Sequence, residues 1–131
     1  MKKHAVTVIS SGDDLTTHYR VKEALRLRDE NNAILILTGF NTAEEHDQGF
    51  QGTWKDDSRI KAFIPRIEEL LREGKVSIKF AKNTPTTVAK TKDAMLEHNL
   101  EPNEDRLDVV SADFHIHDGD VRWLYNKIFK S

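Results

Sequence analysis

Apolar positions along this chain switch repeatedly between a spacing of two and a spacing of three to four, and that switching predicts the fold. His4 to Ser10 is rich in β-branched residues and reads as a first strand. Asp13 or Asp14 can cap the helix that follows, which runs to about Asp29 with Val21, Ala24 and Leu25 on one face, and Asn31-Asn32 ends it. Ala33-Ile34-Leu35-Ile36-Leu37 is a continuous apolar run, the mark of a central strand covered on both faces. A loop of roughly 19 residues follows, Gly39 to about Asp57. Asp56, Asp57 or Ser58 then caps a second helix, in which Ile60, Phe63, Ile64, Ile67, Leu70 and Leu71 form the apolar stripe. Pro65 either kinks this helix or marks its true start, and Gly74 closes it.

The second half repeats the pattern. Lys75 to Phe80 alternates and reads as a third strand, nearer an edge than the second. A helix from about Pro85 to His98 follows, Pro102 and Asn103 fall in a loop, and Leu107 to Val110 is a fourth strand. Val121, Leu124, Tyr125, Ile128 and Phe129 sit at helical spacing in a last helix. Strands alternating with helices imply right-handed crossovers and a mostly parallel sheet between helix layers. The expected fold is a single α/β domain over residues 1–131, a three-layer Rossmann-like sandwich with four or five strands. Such sheets bind ligands outside the carboxyl ends of the strands, where the strand order reverses.

Composition narrows the function classes. With 131 residues, 37% hydrophobic and 32% charged, the chain can build one real core under a heavily charged surface. A formal net charge of -2 supplies no field for nucleic acid or anionic membrane. There is no cysteine, which removes disulfides and thiolate metal sites and fits a reducing, cytoplasmic setting. No segment approaches the roughly 20 apolar residues of a membrane span. Lys2 and Lys3 precede an apolar run as in a signal peptide, but the run is short and ends at Ser10-Ser11-Gly12-Asp13-Asp14.

Candidate chemistry therefore gathers at the strand tips: Ser10, Ser11, Gly12 and Asp13 after the first strand, and Thr38 and Gly39 after the second. Lys82, Asn83 and Thr84 follow the third strand, and Ser111, Asp113, Phe114 and His115 the fourth. Polar tips also serve helix caps and turns. The Ser10-Ser11-Gly12 turn can present backbone N–H groups to an anion, although Asp13 and Asp14 suit a metal-bridged phosphate or a ribose hydroxyl better than a bare phosphate. Asp113-Phe114-His115-Ile116-His117-Asp118 is the densest set of potential ligands. In extended chain Asp113, His115 and His117 share a face, and two histidines with a carboxylate can hold a divalent metal. His115 alone can act as general acid/base or donor. The Gly39–Asp57 loop, with Phe50 between glycines and Trp54 shortly after them, reads as a lid over a planar ligand or as a self-packed or dimer-forming loop. Phe40 and Trp123 read as packing residues. Without a G-x-S-x-G elbow, a triad hydrolase is disfavoured.

Several short motifs, in order, resemble the YdcF-like domain family, which includes ElyC and SanA. Val8-Ile9-Ser10-Ser11-Gly12 is similar to the family's first strand and its glycine, and Arg20 with Ala24 to an arginine–alanine pair on the first helix. Ile34 to Gly39 is similar to its second strand, Asn83-Thr84 or Thr86-Thr87 to its asparagine/threonine motif, and Val110 to His115 to the end of its fourth strand. The chain departs from the pattern where Ala81 or Ile78, Lys90 and Arg59 stand at positions that are polar or acidic in the family, and where Arg122 aligns only with inserted residues. The resemblance implies a polar pocket at the strand tips, with S-adenosylmethionine binding attached to the YdcF type and envelope polysaccharide metabolism to other members.

Together these features point to a small-molecule-binding domain, with catalysis an open matter, for a nucleotide-like or phosphorylated ligand. Ser11, Gly12 and Asp13 would hold its polar end, Arg20, Lys82 and Thr87 would supply charge or hydroxyls, and Asp113 and His115 would carry any chemistry. Arg122 would join from the last helix. The alternatives are a non-catalytic interaction module or homo-oligomer formed through the Gly39–Asp57 loop, and a metal-dependent hydrolase using Asp113, His115 and His117.

Overall fold

The structure is a computed structural model, and it describes residues 3–9, 14–40, 54–79, 84–102 and 104–110. Strand β1 spans His4–Ile9, helix α1 Asp14–Asn31 and strand β2 Ile34–Thr38. Two 3-10 turns follow, Trp54–Asp56 and Ser58–Phe63, then helix α2 Ile64–Arg72 and strand β3 Val76–Lys79. Helix α3 spans Thr84–Glu97 and strand β4 Arg106–Val110. The last predicted helix, around 121–129, lies outside the described residues.

The described strands form one four-stranded sheet in the order β3-β2-β1-β4, and every pairing is parallel. Period-two alternation sends the strand side chains to two separate cores. Val6, Val8, Leu35, Leu37, Val76 and Val110 face α1, the second 3-10 turn and α2, where they meet Val21, Ala24, Leu25, Ile60, Ile67 and Leu70. Ala5, Ile36, Leu107 and Val109 face α3 and meet Ala94 and Met95. Helices therefore cover both faces, which confirms the three-layer α/β sandwich. The continuous apolar run does form an interior strand, and the alternating third strand is at the edge.

Local chemistry sets the element ends. Asn32, at φ 50°, turns the chain out of α1, two residues beyond the expected end at about Asp29. Asp57 caps the second 3-10 turn, its carboxylate accepting the Arg59 backbone N–H at 3.0 Å. Of the two expectations for Pro65 the structure shows the second: a 3-10 turn comes first, and Pro65, which cannot donate within a helix, stands in the first turn of α2 and marks its true start. Gly74, at φ 70°, ends α2 as expected.

Two arginines lie on the buried face of α1. Arg28 is 5% exposed, and its Nε donates to the Ala33 carbonyl at 2.8 Å while Nη2 donates to Asn32 Oδ1 at 3.0 Å. It pins the end of α1 to the start of β2. Arg20 makes the matching contact at the other end of the helix.

Candidate functional site

The strand numbering reverses direction between β1 and β4, because the connection after β3 passes back across the sheet to the far side of β1. Val8 and Val110 are ladder partners, so the two strands finish side by side at about 4.8 Å spacing. The chain leaves β1 toward Ser10 and leaves β4 toward Ser111. Ser10, Ser11, Gly12, Asp13, Lys82, Ser111, Asp113, His115, His117 and Arg122 themselves lie outside the described residues.

Arg20 is 7% exposed, and its Nη1 donates to the carbonyl of Ile9, the last residue of β1, at 2.6 Å. A buried guanidinium is tolerated only where acceptors receive its donors. Here one acceptor is the strand end itself. Arg20 thus reaches the end of the first strand, and does so through that strand's backbone.

The second tip is bound from an unforeseen direction. Thr38 is 1% exposed, and its hydroxyl is 3.5 Å from the Val8 carbonyl, within the sheet. Gly39 has φ 82°, a conformation that favours glycine, and its N–H continues the ladder to the Lys79 carbonyl at 3.0 Å. Its carbonyl accepts Arg59 Nη2 at 2.9 Å. Arg59 is held in turn by Asp57, with Nε at 2.9 Å from Oδ1 and Nη2 at 2.6 Å from Oδ2, and it lies 5.3 Å over the ring of Phe40, which is fully buried. The hydrogen bonds to Asp57 push the Arg59 pKa above its ordinary value. One residue earlier, the Ser58 hydroxyl donates to the Asp14 carboxylate at 3.1 Å. The 3-10 turn therefore ties the exit of β2 to the first residue of α1.

Of the remaining candidates, Thr84 opens α3, and Thr87 lies one turn in, its carbonyl accepting the Thr91 hydroxyl at 2.8 Å. Trp54 is half-buried against the core beneath α1 and α2, with Lys55 Nζ 5.9 Å from its ring centroid. Its ring is thus partly committed to its own fold. Phe50 lies outside the described residues.

The opposite end of the sheet holds polar clusters that the sequence reading passed over. Asp108 is fully buried on β4, with its carboxylate 2.6 Å from His4 Nε2 and 3.2 Å from Arg106 Nε. On the edge strand, the Ser77 hydroxyl lies 2.8 Å from His98 Nε2, and Lys79, the last residue of β3, pairs with Glu97. Burial pushes the His98 pKa down, partly offset by Glu97, and the Lys79 hydrogen bond lowers that of Glu97. His4 and His98 line a groove of about 470 Å³ with Lys3, Asn31, Asn32, Ile34 and Leu100. The signal was a lone acid inside the apolar run Leu107-Asp108-Val109-Val110, which needs a partner once buried.

Among the described residues, no three His, Asp or Glu side chains are grouped so as to hold a metal, and no helix is long and apolar enough to cross a membrane. No protein-family model, no curated protein and no solved structure matches the chain.

Proposed function

We propose that this chain is a small-molecule-binding domain whose ligand, nucleotide-like or phosphorylated, sits at the strand C-termini between β1 and β4. The observation that carries the proposal is the strand order: an all-parallel β3-β2-β1-β4 sheet reverses between β1 and β4, and ligands of open α/β sheets bind in the crevice at that reversal. Two chain segments rich in candidate groups, Ser10 to Asp13 and Ser111 to His115, start from the adjacent ends of these strands. In this reading Ser11, Gly12 and Asp13 hold the polar end, Arg20 fixes the β1 exit they depart from, and His115 with Asp113 supplies a donor or acid/base group. The likeness to YdcF-like domains, S-adenosylmethionine included, belongs to the same proposal.

Thermal denaturation with ATP, S-adenosylmethionine and glucose 6-phosphate tests it. A ligand present at 100 times its Kd adds about 2.7 kcal/mol of stability. That gain should appear with at least one probe and fall in Gly12→Val and His115→Ala. Absence of a shift with every probe would reject the proposal.

A further inference from the structure

The groove of about 470 Å³ at the N-terminal end of the sheet lies beside the His4–Asp108–Arg106 cluster, away from the strand tips. Part of its wall is apolar, with Leu100 buried and Ile34 half-buried. Its polar part offers donors. Asn32 Oδ1 accepts Arg28 Nη2 at 3.0 Å and Lys75 Nζ at 2.9 Å. Two cationic donors on one oxygen settle which way the amide faces, so its Nδ2 group is turned away from them, and they polarise it into a stronger donor. Lys3 uses one N–H of its ammonium on the Asn99 carbonyl at 2.9 Å and keeps two more donors. Asn31 turns its Nδ2 back onto the Leu27 carbonyl and adds none. The imidazoles of His4 and His98 are engaged through Nε2 with Asp108 and Ser77, so they wall the groove.

We propose that this groove binds a small organic carboxylate, its oxygens on Lys3 Nζ and Asn32 Nδ2 and its apolar body against Ile34 and Leu100. Charge decides the sign of the ligand. Among the described residues, those that line the groove include a lysine and no carboxylate. The acids around it are already matched: Asp108 by His4 and Arg106, and Asp105 by the N–H groups of Lys3 and Glu101 at 3.0 and 2.7 Å. The apolar wall decides the class. One lysine and one amide suit a monoanion, and Ile34 with Leu100 give its hydrocarbon part somewhere to go, which a bare phosphate would leave unused. None of these residues belongs to the site proposed at the strand tips, so this is a second site.

Benzoate is the probe, titrated at constant ionic strength and followed by NMR at the backbone amides and at the imidazoles of His4 and His98. Signals of His4, His98 and Leu100 should shift and saturate with a Kd of about 1 mM, the affinity expected of so small a ligand. Benzamide, which has the same ring without the charge, should bind at least about tenfold more weakly. Asn32→Asp is the sharpest variant. It keeps an oxygen for Arg28 and Lys75 and tolerates the φ of 50°, but puts an anion where the donor was. Lys3→Met keeps the stem and removes the charge. Each should weaken benzoate at least about tenfold while the remaining amide spectrum shows the chain folded. His115→Ala should leave benzoate binding unchanged, which separates this groove from the strand tips. The proposal is overturned by benzamide binding as tightly as benzoate, or by full affinity in both folded variants. Shifts that do not saturate below about 50 mM, or benzoate affinity lost in His115→Ala, overturn it as well.

Discussion

The two ends of the sheet solve opposite electrostatic problems. At the C-terminal end, strands finish on outward-pointing carbonyls, and two arginines come to meet them: Arg20 takes Ile9 and Arg59 takes Gly39. At the N-terminal end, the arriving helices supply the carbonyls, and Arg28 on Ala33 and Lys3 on the Asn99 carbonyl at 2.9 Å serve those. What differs is the buried carboxylate. The N-terminal end carries Asp108, wholly enclosed and matched to His4 and Arg106, whereas the described acids nearest the strand tips, Asp14 and Asp57, lie in the α1–turn clasp. One end is a closed polar knot that serves stability. The other holds its backbone from the sides and leaves its tips to the segments that follow β1 and β4.

The contrast makes its largest prediction at the knot. His4→Ala leaves the Asp108 carboxylate buried with only Arg106, and should cost about 3 kcal/mol in urea unfolding with unchanged slope. A loss under about 1 kcal/mol would mean the knot is solvated and the two ends are alike. Arg59→Ala comes next. It removes the donor to Gly39 and the partner of Asp57, and should cost about 2 kcal/mol, with Arg59→Lys recovering less than half, because a lysine cannot grip the Asp57 carboxylate with two donors. Gly39→Ala should cost about 1 kcal/mol through its φ of 82° alone.

The smallest effect is a pH dependence at the N-terminal end. Burial lowers the His98 pKa, so the folded state binds fewer protons than the unfolded chain as pH drops below about 6.5. The neutral imidazole's contribution is present above that pH and is lost as pH falls toward the lower folded value. After solvent screening this amounts to about a few tenths of a kcal/mol between pH 7.5 and 5.5. His98→Gln, which keeps a polar partner for Ser77 without titrating, should flatten that part of the stability profile. An unchanged profile would remove His98 from the account.

Much of the architecture was legible because it rests on periodicity. The run Ile34 to Leu37 announces a strand covered on both faces, and Pro65 and Gly74 bracket α2. The roles of the arginines were not legible. Arg20 and Arg28 interrupt the apolar face of α1, so the sequence shows only Val21, Ala24 and Leu25 there, and nothing local says that strand-end backbone accepts their donors. Arg59 reads as a departure from a family pattern. Its meaning appears only when the fold brings Gly39, 20 residues earlier, within 2.9 Å. Asp108 and His4 are 104 residues apart and belong to a pairing that no local signal encodes. Of the site, the sequence could mark the tips as polar, but the adjacency of the first and fourth tips comes from strand order.

That adjacency has a kinetic side. The β1–β2 ladder closes across about 30 residues, whereas β4 docks on β1 from about 100 positions away, and the Lys3 N–H to Asp105 carboxylate bond beside that ladder joins residues 102 positions apart. Contacts of such separation repay their loop-closure entropy late in folding. A chain emerging from the ribosome can assemble β1, α1 and β2 early, but β1 has no neighbour on its other side until β4 has been made. The docking of β4 on β1, on which the proposed site depends, would then follow the early core, and a ligand of that site added during refolding would act on this docking step rather than on β1, α1 and β2.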